Sequence, residues 1–413
     1  MSAFVPGSQA SRDKSVSVEV GHAARMPALL RDPGLVLLGI APPDHPWLAD
    51  VLPGSVVRES RPRDRTAGLE HVRVRAMDRL QFLPGLGGSM PSLLRDAAAL
   101  ALGTGLPTVD LILLRTGSAC PWRWDPDEVW PLLEPLLYNL PGAILVAPDL
   151  GGPNARGFSA TDAAARTDDA LPMVLCLARE LGARWQTLLV DLPDPARAAA
   201  VLHGLDVGLC GWQGSEDVRA AHGWRSAAAL VGAQLASVEG SGIIGRSSRL
   251  VGGRFVQPSR REALTVWQPE APTLGVQHEL LSLVQVKAGM AQVTQESSLR
   301  APAGESPLSA LVTIKRIHWS IFSAADAFVF RLVQEAQAYA LAAAIEMSTR
   351  KWVKAGVLEG PDGQGPQISA ELVRSSEAPG LAADFVGRLR PWGSVVNVRV
   401  NVRPGAAPQF EVR

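Results

Sequence analysis

Between about residues 105 and 240 the chain alternates short, unbroken apolar runs with segments of helical spacing. The runs 109–114, 143–147, 185–190 and 205–210 lack the polar alternation of half-exposed strands, so they predict parallel strands buried on both faces and joined by crossover helices. Helix starts agree. Asp125-Pro126-Asp127-Glu128 and Asp194-Pro195 each place an acidic cap before a proline, whose missing N–H costs nothing in a first turn. Pro131 and Pro135 shorten or kink the first of these helices. A further helix is predicted from Trp224 to Val238, ending at Gly240. The apolar run 35–40 predicts one more strand, the Arg-rich stretch 58–75 a surface loop, and Pro84-Gly85-Leu86-Gly87-Gly88 a turn.

Beyond residue 276 the grammar changes. Residues 311–318 read as a strand, and one long helix follows. In it Val329, Leu332, Val333, Ala336, Tyr339, Ala340, Ala343 and Met347 share a face expected to pack on a sheet. Gly356 stops this helix after the basic turn of Arg350, Lys351 and Lys354. The strictest alternation in the chain follows at 396–403, with Val396, Val398, Val400 and Val402 on one face, and a short run at 410–413. Near the other end Val16, Val18 and Val20 alternate in the same way. Neither alternating strand has a hairpin partner beside it, so each must either pair inside its own domain or satisfy its backbone on a neighbouring subunit's sheet edge. The expected division is an arm at 1–30, an α/β domain at 31–275 that closes in a Gly/Ser/Arg-rich loop, and an α+β domain at 276–413.

Composition narrows the chemistry. With 413 residues, 47% of them hydrophobic, the chain buries a sizeable core and has room for two or three domains. Forty basic residues balance forty acidic ones, which argues against nucleic acid as a partner. Cys120, Cys176 and Cys210 lie far apart without a C-x-x-C, so neither a disulfide framework nor a metal site is expected, and a reducing cytoplasm fits. The first 14 residues lack the apolar core of a signal peptide, and no stretch of ~18 apolar residues occurs, so no membrane insertion is expected.

Gly240-Ser241-Gly242-Ile243-Ile244-Gly245 matches a dinucleotide fingerprint in letters only. A helix precedes it and a loop follows, the reverse of the context that brings a helix N-terminus to a pyrophosphate, so no cofactor is expected. Asp149 and Asp191 stand just past the carboxyl ends of two predicted parallel strands, where open α/β sheets carry catalytic groups. They read either as an enzyme's acid pair or as capping residues beside the turns at Pro148 and Pro193. Trp122, Trp124 and Trp130 read as interface anchors.

The stretch from Leu311 to Arg413 resembles the C-terminal domain of contractile tail sheath proteins, the family of phage tails, R-type bacteriocins and related injection systems. In that family a strand ending in basic residues leads into a long helix, a strand, a loop, and a closing strand followed by a proline-containing segment. Here Leu311-Val312-Thr313-Ile314-Lys315-Arg316-Ile317-His318, the helix to Trp352, Ile368-Ser369-Ala370-Glu371-Leu372-Val373 and the run from Val395 through Pro404-Gly405 to Phe410-Glu411-Val412 take those places. The segment from Ser226 to Gly253 is similar to the small-residue helix and loop that precede this domain. The family's tryptophan-glycine-arginine-threonine element has no counterpart, residues 295–300 reading Gln-Glu-Ser-Ser-Leu-Arg.

The resemblance implies a non-enzymatic subunit that polymerises helically with itself around an inner tube protein and drives the tube outward by a change of lattice. The variants it allows are a paralogue at the baseplate or cap and, outside the family, an α/β enzyme using Asp149 and Asp191. It implies production in the bacterial cytoplasm, baseplate and cap proteins as further partners, arm strands at Val16–Val20 and Val396–Val402 that link subunits, and Arg350, Lys351 and Lys354 as candidates for facing the tube.

Overall fold

The computed structural model describes residues 34–41, 57–59, 65–66, 68–74, 94–115, 123–138, 140, 142–150, 160–213, 226–237, 240, 242–244, 246–249, 280–287, 290–300, 307–331, 333–374 and 379–413. They fall into two units, Asp32–Val312 and a smaller one containing Thr313–Arg413. The fold is mixed α/β, with one sheet in each unit.

In the larger unit the strands are β1 (Leu35–Ala41), β2 (Val57–Glu59), β3 (Arg65–Thr66), β4 (Leu69–Val74), β5 (Val109–Arg115), β6 (Ile144–Val146), β7 (Thr187–Val190), β8 (Val207–Gln213), β9 (Ser247–Arg249), β10 (Leu281–Lys287) and β11 (Met290–Gln295). They run in the order β2-β4-β5-β1-β6-β7-β8-β10-β11-β9, with β3 beside β4. From β5 to β10 neighbours are parallel. Counted along the chain, those parallel strands stand in the order 2-1-3-4-5-6, a doubly wound arrangement.

The helices are α1 (Leu94–Gly103), α2 (Pro126–Tyr138), α3 (Ala160–Gly182), α4 (Pro195–Leu202) and α5 (Ala227–Ser237). Leu35, Leu37, Leu111, Leu113 and Val146 join α1 and α5 in one core, while Val36, Leu38, Ile112, Leu145 and Val190 join α2, α3 and α4 in the other. Alternate side chains thus meet apolar cover on both faces, which is why these strands read as continuous apolar runs. Gly232 lets α5 lie close on the sheet: a Cβ there would sit 2.9 Å from Leu35 Cδ1 and 3.0 Å from Val146 Cγ2.

Three expectations for this unit change. The Arg-rich stretch 58–75 is not simply a surface loop, because β4 inside it adds to β5 and buries Leu69, Val72 and Val74. The boundary expected at 275 moves to 312, because β10 and β11 extend the large sheet by pairing with β8 and β9. Trp124, read as an interface anchor, is buried in the core, and Trp122 lies outside the described residues.

The run 311–318 is not a strand. It lies within α6 (Leu308–Asp326), whose first turn buries Leu308, Leu311 and Val312 in the larger unit's core and whose later turns bury Ile317, Ile321 and Ala325 in the smaller unit's core. Helical spacing of these buried positions overrides the strand preference of Val312-Thr313-Ile314.

A turn at 327–331 separates α6 from α7 (Glu335–Lys354), so the long helix starts later than expected. Its buried face is Ala338, Leu341, Ile345, Thr349 and Trp352. Of the expected stripe, Ala336, Tyr339, Ala343 and Met347 point outward, with Tyr339 71% and Met347 67% exposed, while Val333 and Ala340 still touch the edge of the core. Val329 belongs to the turn, and counting from it set the phase one face wrong. Trp352 outweighs the alanines in buried apolar area and fixes which face turns inward. Gly356 does stop the helix: at φ 69° it adopts the left-handed conformation, and the Val357 N–H donates back to the Trp352 carbonyl at 3.0 Å.

The smaller sheet holds β12 (Leu358–Glu359), β13 (Gln367–Val373), β14 (Gly380–Leu389), β15 (Ser394–Val402) and β16 (Gln409–Val412). All pairings are antiparallel, with β12 and β13 on one side of β14, β15 on its other side and β16 outermost. Of the two outcomes left open for this strand, pairing inside its own unit is the one seen, and β15 is paired on both edges. Val396, Val398, Val400 and Val402 face their own unit's core with Leu341, Ile345 and Trp352. The partner unread in the sequence is β14, whose Leu381, Ala383 and Phe385 fill the same core.

Candidate functional site

The two aspartates at strand ends are spent on the fold. Asp149 follows β6, is fully buried, and its Oδ2 accepts the Ile40 N–H at the carboxyl end of β1 at 3.0 Å. It therefore ties together the two strands at which the winding reverses. Asp191 follows β7 and caps α5 from outside the helix: Oδ1 accepts the Ala228 N–H at 3.0 Å and Oδ2 the Ser226 hydroxyl at 2.5 Å. Ser226 Oγ in turn accepts the Ala229 N–H at 3.0 Å. Burial pushes the Asp191 carboxyl up to about 7, against the lowering effect of Ser226 and the Ala227 and Ala228 amides.

The fingerprint-like loop is occupied by the chain itself. Glu296 Oε1 accepts the Ile243 and Ile244 N–H groups at 2.7 and 3.2 Å, and its Oε2 accepts the Ser309 N–H in the first turn of α6 at 2.9 Å. A side-chain carboxylate thus sits where the motif would offer amides to a phosphate. Asp110 on β5 is held the same way, bidentate to Arg73 at 2.9 and 2.8 Å, with His71 Nε2 at 3.0 Å. Its burial would raise the carboxyl, but the His71 and Arg73 hydrogen bonds outweigh that and hold it below the usual range. Among the described residues no group of three or more His, Cys, Asp or Glu side chains is placed to hold a metal ion, and no helix is long and apolar enough to cross a membrane.

The smaller unit instead presents surfaces. Arg350, Lys351 and Lys354 are exposed at the last turns of α7, with Lys351 Nζ 4.7 Å from the Trp352 ring centroid. Tyr339, Ala343 and Met347 precede them on an outward side of the helix. A cleft of about 310 Å³ opens between the start of α7 and β13, lined by Glu335, Ala338, Tyr339, Ala370, Glu371, Leu372 and Arg374. On the sheet face away from the core, charged side chains form a row across the strands. Arg399 on β15 reaches Asp384 on β14 and Glu371 on β13, each at 2.7 Å, and Arg413 reaches Asp384 at 3.3 Å and Glu411 at 3.5 Å. Val16, Val18 and Val20 lie outside the described residues.

Sequence reasoning found the basic turn and missed the charged row. The outward positions Arg399, Glu411 and Arg413 were visible as the polar half of the alternation, but Asp384, which joins them, sits on the unread β14.

No family model and no curated protein sequence matches the chain. Solved structures do. A chain of the 6-fold symmetrised baseplate of the anti-feeding prophage (AFP) aligns over 90% of both chains at 13% identity with a TM-score of 0.51. The helical sheath of the same particle in its contracted state aligns at 14% identity over 100% of this chain and 99% of that one, with a TM-score of 0.49. The contracted PVC sheath complex of an extracellular contractile injection system gives 11% identity, 91% and 89% coverage and a TM-score of 0.48. The chain therefore shares its fold, over nine-tenths of both molecules, with a protein of the AFP baseplate structure.

Proposed function

We propose that the chain is a non-catalytic, sheath-like structural subunit of a contractile injection particle. The observation that carries this reading is the shared fold with a chain of the AFP baseplate structure over 90% of both chains. The two aspartates that an enzyme would need are committed to backbone amides, which removes the feature that motivated that alternative.

In the sheath form of the reading, subunits assemble with one another in an extended helical array around an inner tube and relax to a wider one, and the stored conformational energy drives the tube out. Strands shared between subunits hold such a lattice through backbone bonds, which tolerate rigid-body rotation. Val16–Val20 is one candidate for a shared strand. The other is β16, the last strand in the described order of its sheet, with β15 as its seat. The valines of β15 itself serve the core. Arg350, Lys351 and Lys354 face acidic groups of the tube, with Tyr339 and Met347 beside them as apolar contact. The protein is made in the cytoplasm and ends in a tail-like particle. A subunit at the baseplate or cap, rather than the repeating sheath, is the second form of this reading.

Electron microscopy of the protein expressed alone and together with a candidate tube protein tests this. Helical cylinders support the repeating sheath, and rings on a tube end support the baseplate or cap form. A small closed oligomer that ignores the tube overturns both.

A further inference from the structure

Helix α7 is apolar on two sides. Leu341, Ile345 and Trp352 fill the core, yet the Tyr339 ring and the Met347 thioether stand exposed on the outward side. At about 100° per residue, Ala336, Tyr339, Met347, Arg350 and Lys354 all project within about 40° of Ala343, and all are exposed. An outward apolar stripe on a helix that already buries its other face marks a contact surface.

The stripe reads the same in both directions. Counted from Ala343, Tyr339 and Met347 stand four positions to either side and Ala336 and Arg350 seven, while acidic Glu335 opens the helix and Arg350, Lys351 and Lys354 close it. A second α7 laid antiparallel over the first, with a two-fold axis at Ala343, sets Ala343 against its own counterpart. Met347 of each copy then lies over Ala336 and Ala340 of the other, with Tyr339 alongside it. Glu335 of each copy meets Arg350 of the other. A parallel pair in register would set Glu335 against Glu335 and one basic turn against the other, so charge selects the antiparallel arrangement. The methyl groups at Ala343 let the axes approach to about 8 Å.

We propose that the outward face of α7 docks a second copy of this chain, α7 on α7, antiparallel about Ala343, with Glu335 and Arg350 setting the register. One helix face per copy is small for a specific interface, so the pair is transient. It covers the same Tyr339, Met347 and basic turn that the proposed function turns toward the tube. The free subunit thus masks its tube-facing side until the tube displaces the second copy. That exclusion rests on the tube reading; the pair itself does not.

Cysteine trapping in the full chain tests the pair. Cys120 and Cys176 are replaced by Ser, and the buried Cys210 is kept. Ala343→Cys places two thiols at the axis, within disulfide reach, whereas the two thiols of Ala336→Cys stand about 21 Å apart along the helices. Mild oxidation is expected to yield covalent dimer from Ala343→Cys and little from Ala336→Cys. Equal yields at the two positions, or none at Ala343→Cys, overturn the pair.

Sedimentation velocity of chains without added cysteines tests the register. Glu335→Arg alone and Arg350→Glu alone each set like charges together twice and are expected to weaken self-association roughly 10-fold. Their mixture restores it, because each meets its opposite in the other; circular dichroism confirms that both variants are folded. Association indifferent to these changes, or species larger than a dimer, overturns the register. Finally, Ala343→Cys is oxidised with a candidate tube protein in excess, and the covalent dimer is expected to fall several-fold. Undiminished dimer from subunits that do bind the tube protein overturns the exclusion. A chain that pairs but ignores the tube protein overturns the tube reading, and with it the exclusion, while the pair stands.

Discussion

Asp384 on β14 and Arg399 on β15 stand directly opposite each other in the ladder, Oδ2 to Nη1 at 2.7 Å, and Arg399 spends its second terminal nitrogen on Glu371 at the same distance. One fork thus spans three strands on the outer face. Arg399→Ala is expected to cost about 1 kcal/mol of stability, less at high salt, because the pairs are partly exposed. Arg399→Lys recovers only part of it, since a point charge cannot serve two carboxylates in fixed directions. Urea unfolding at 50 mM and 1 M NaCl checks both.

Asp191 makes stability depend on pH. Its carboxyl is raised to about 7 in the fold and returns to an ordinary value near 3.9 on unfolding. Between those values the folded state holds a proton that the unfolded state has lost. Its contribution to stability is therefore present at low pH, falls as pH rises from about 4 to 7, and stays lost above. Asp191→Asn keeps an acceptor for the Ala228 N–H and turns its NH2 toward the Ser226 hydroxyl oxygen, without the charge. The variant is expected to flatten this slope and gain, relative to wild type, about 1–2 kcal/mol at pH 5, rising to about 4 kcal/mol by pH 8. Denaturant midpoints across that range decide it; equal slopes in both proteins reject the assignment.

The two faces of α7 should respond in opposite ways. Trp352→Ala empties the core of the smaller unit and is expected to cost about 3–5 kcal/mol. Tyr339→Ala and Met347→Ala, on the outward side, should stay within about 0.5 kcal/mol. Thermal melts of the three variants provide the comparison, and a large loss for Met347→Ala would restore the face expected from the sequence.

Glu296→Ala strands two buried backbone donors, those of Ile243 and Ser309, and the partly buried one of Ile244. A loss of about 2–4 kcal/mol is expected, with Glu296→Gln intermediate. Hydrogen exchange at these amides should quicken in the Ala variant ahead of global unfolding.

Reversing Arg350, Lys351 and Lys354 to Glu removes cations from a helix end, where each contributes about 0.3–1 kcal/mol. The variant should remain folded and lose co-sedimentation with the tube protein in the proposed assembly. Retained co-sedimentation would move the tube contact elsewhere on the molecule.

The parallel strands of the larger unit were legible because burial on both faces leaves only apolar residues, a pattern that survives without knowledge of the partners. Asp125-Pro126 and Asp194-Pro195 were legible as helix starts because capping is local chemistry: Asp194 Oδ1 accepts the Arg197 N–H at 3.0 Å within four residues of chain. The mixed α/β class, the stop at Gly356 and the strands 367–373, 394–402 and 409–412 come from the same short-range rules.

What only the tertiary structure decided was each choice between partners distant in sequence. Whether 311–318 became strand or helix depended on two cores that bury Leu311 and Ile321, and which side of α7 turned inward depended on Trp352 meeting the sheet. Asp149 and Asp191 became ties rather than a reactive pair because Ile40 and Ala228 arrive from 109 and 37 residues away. Alternation along β15 determined that one of its faces is buried, but its ladder partners were set by the return of β14 and β16. A period of two specifies faces and says nothing about which strand lies alongside.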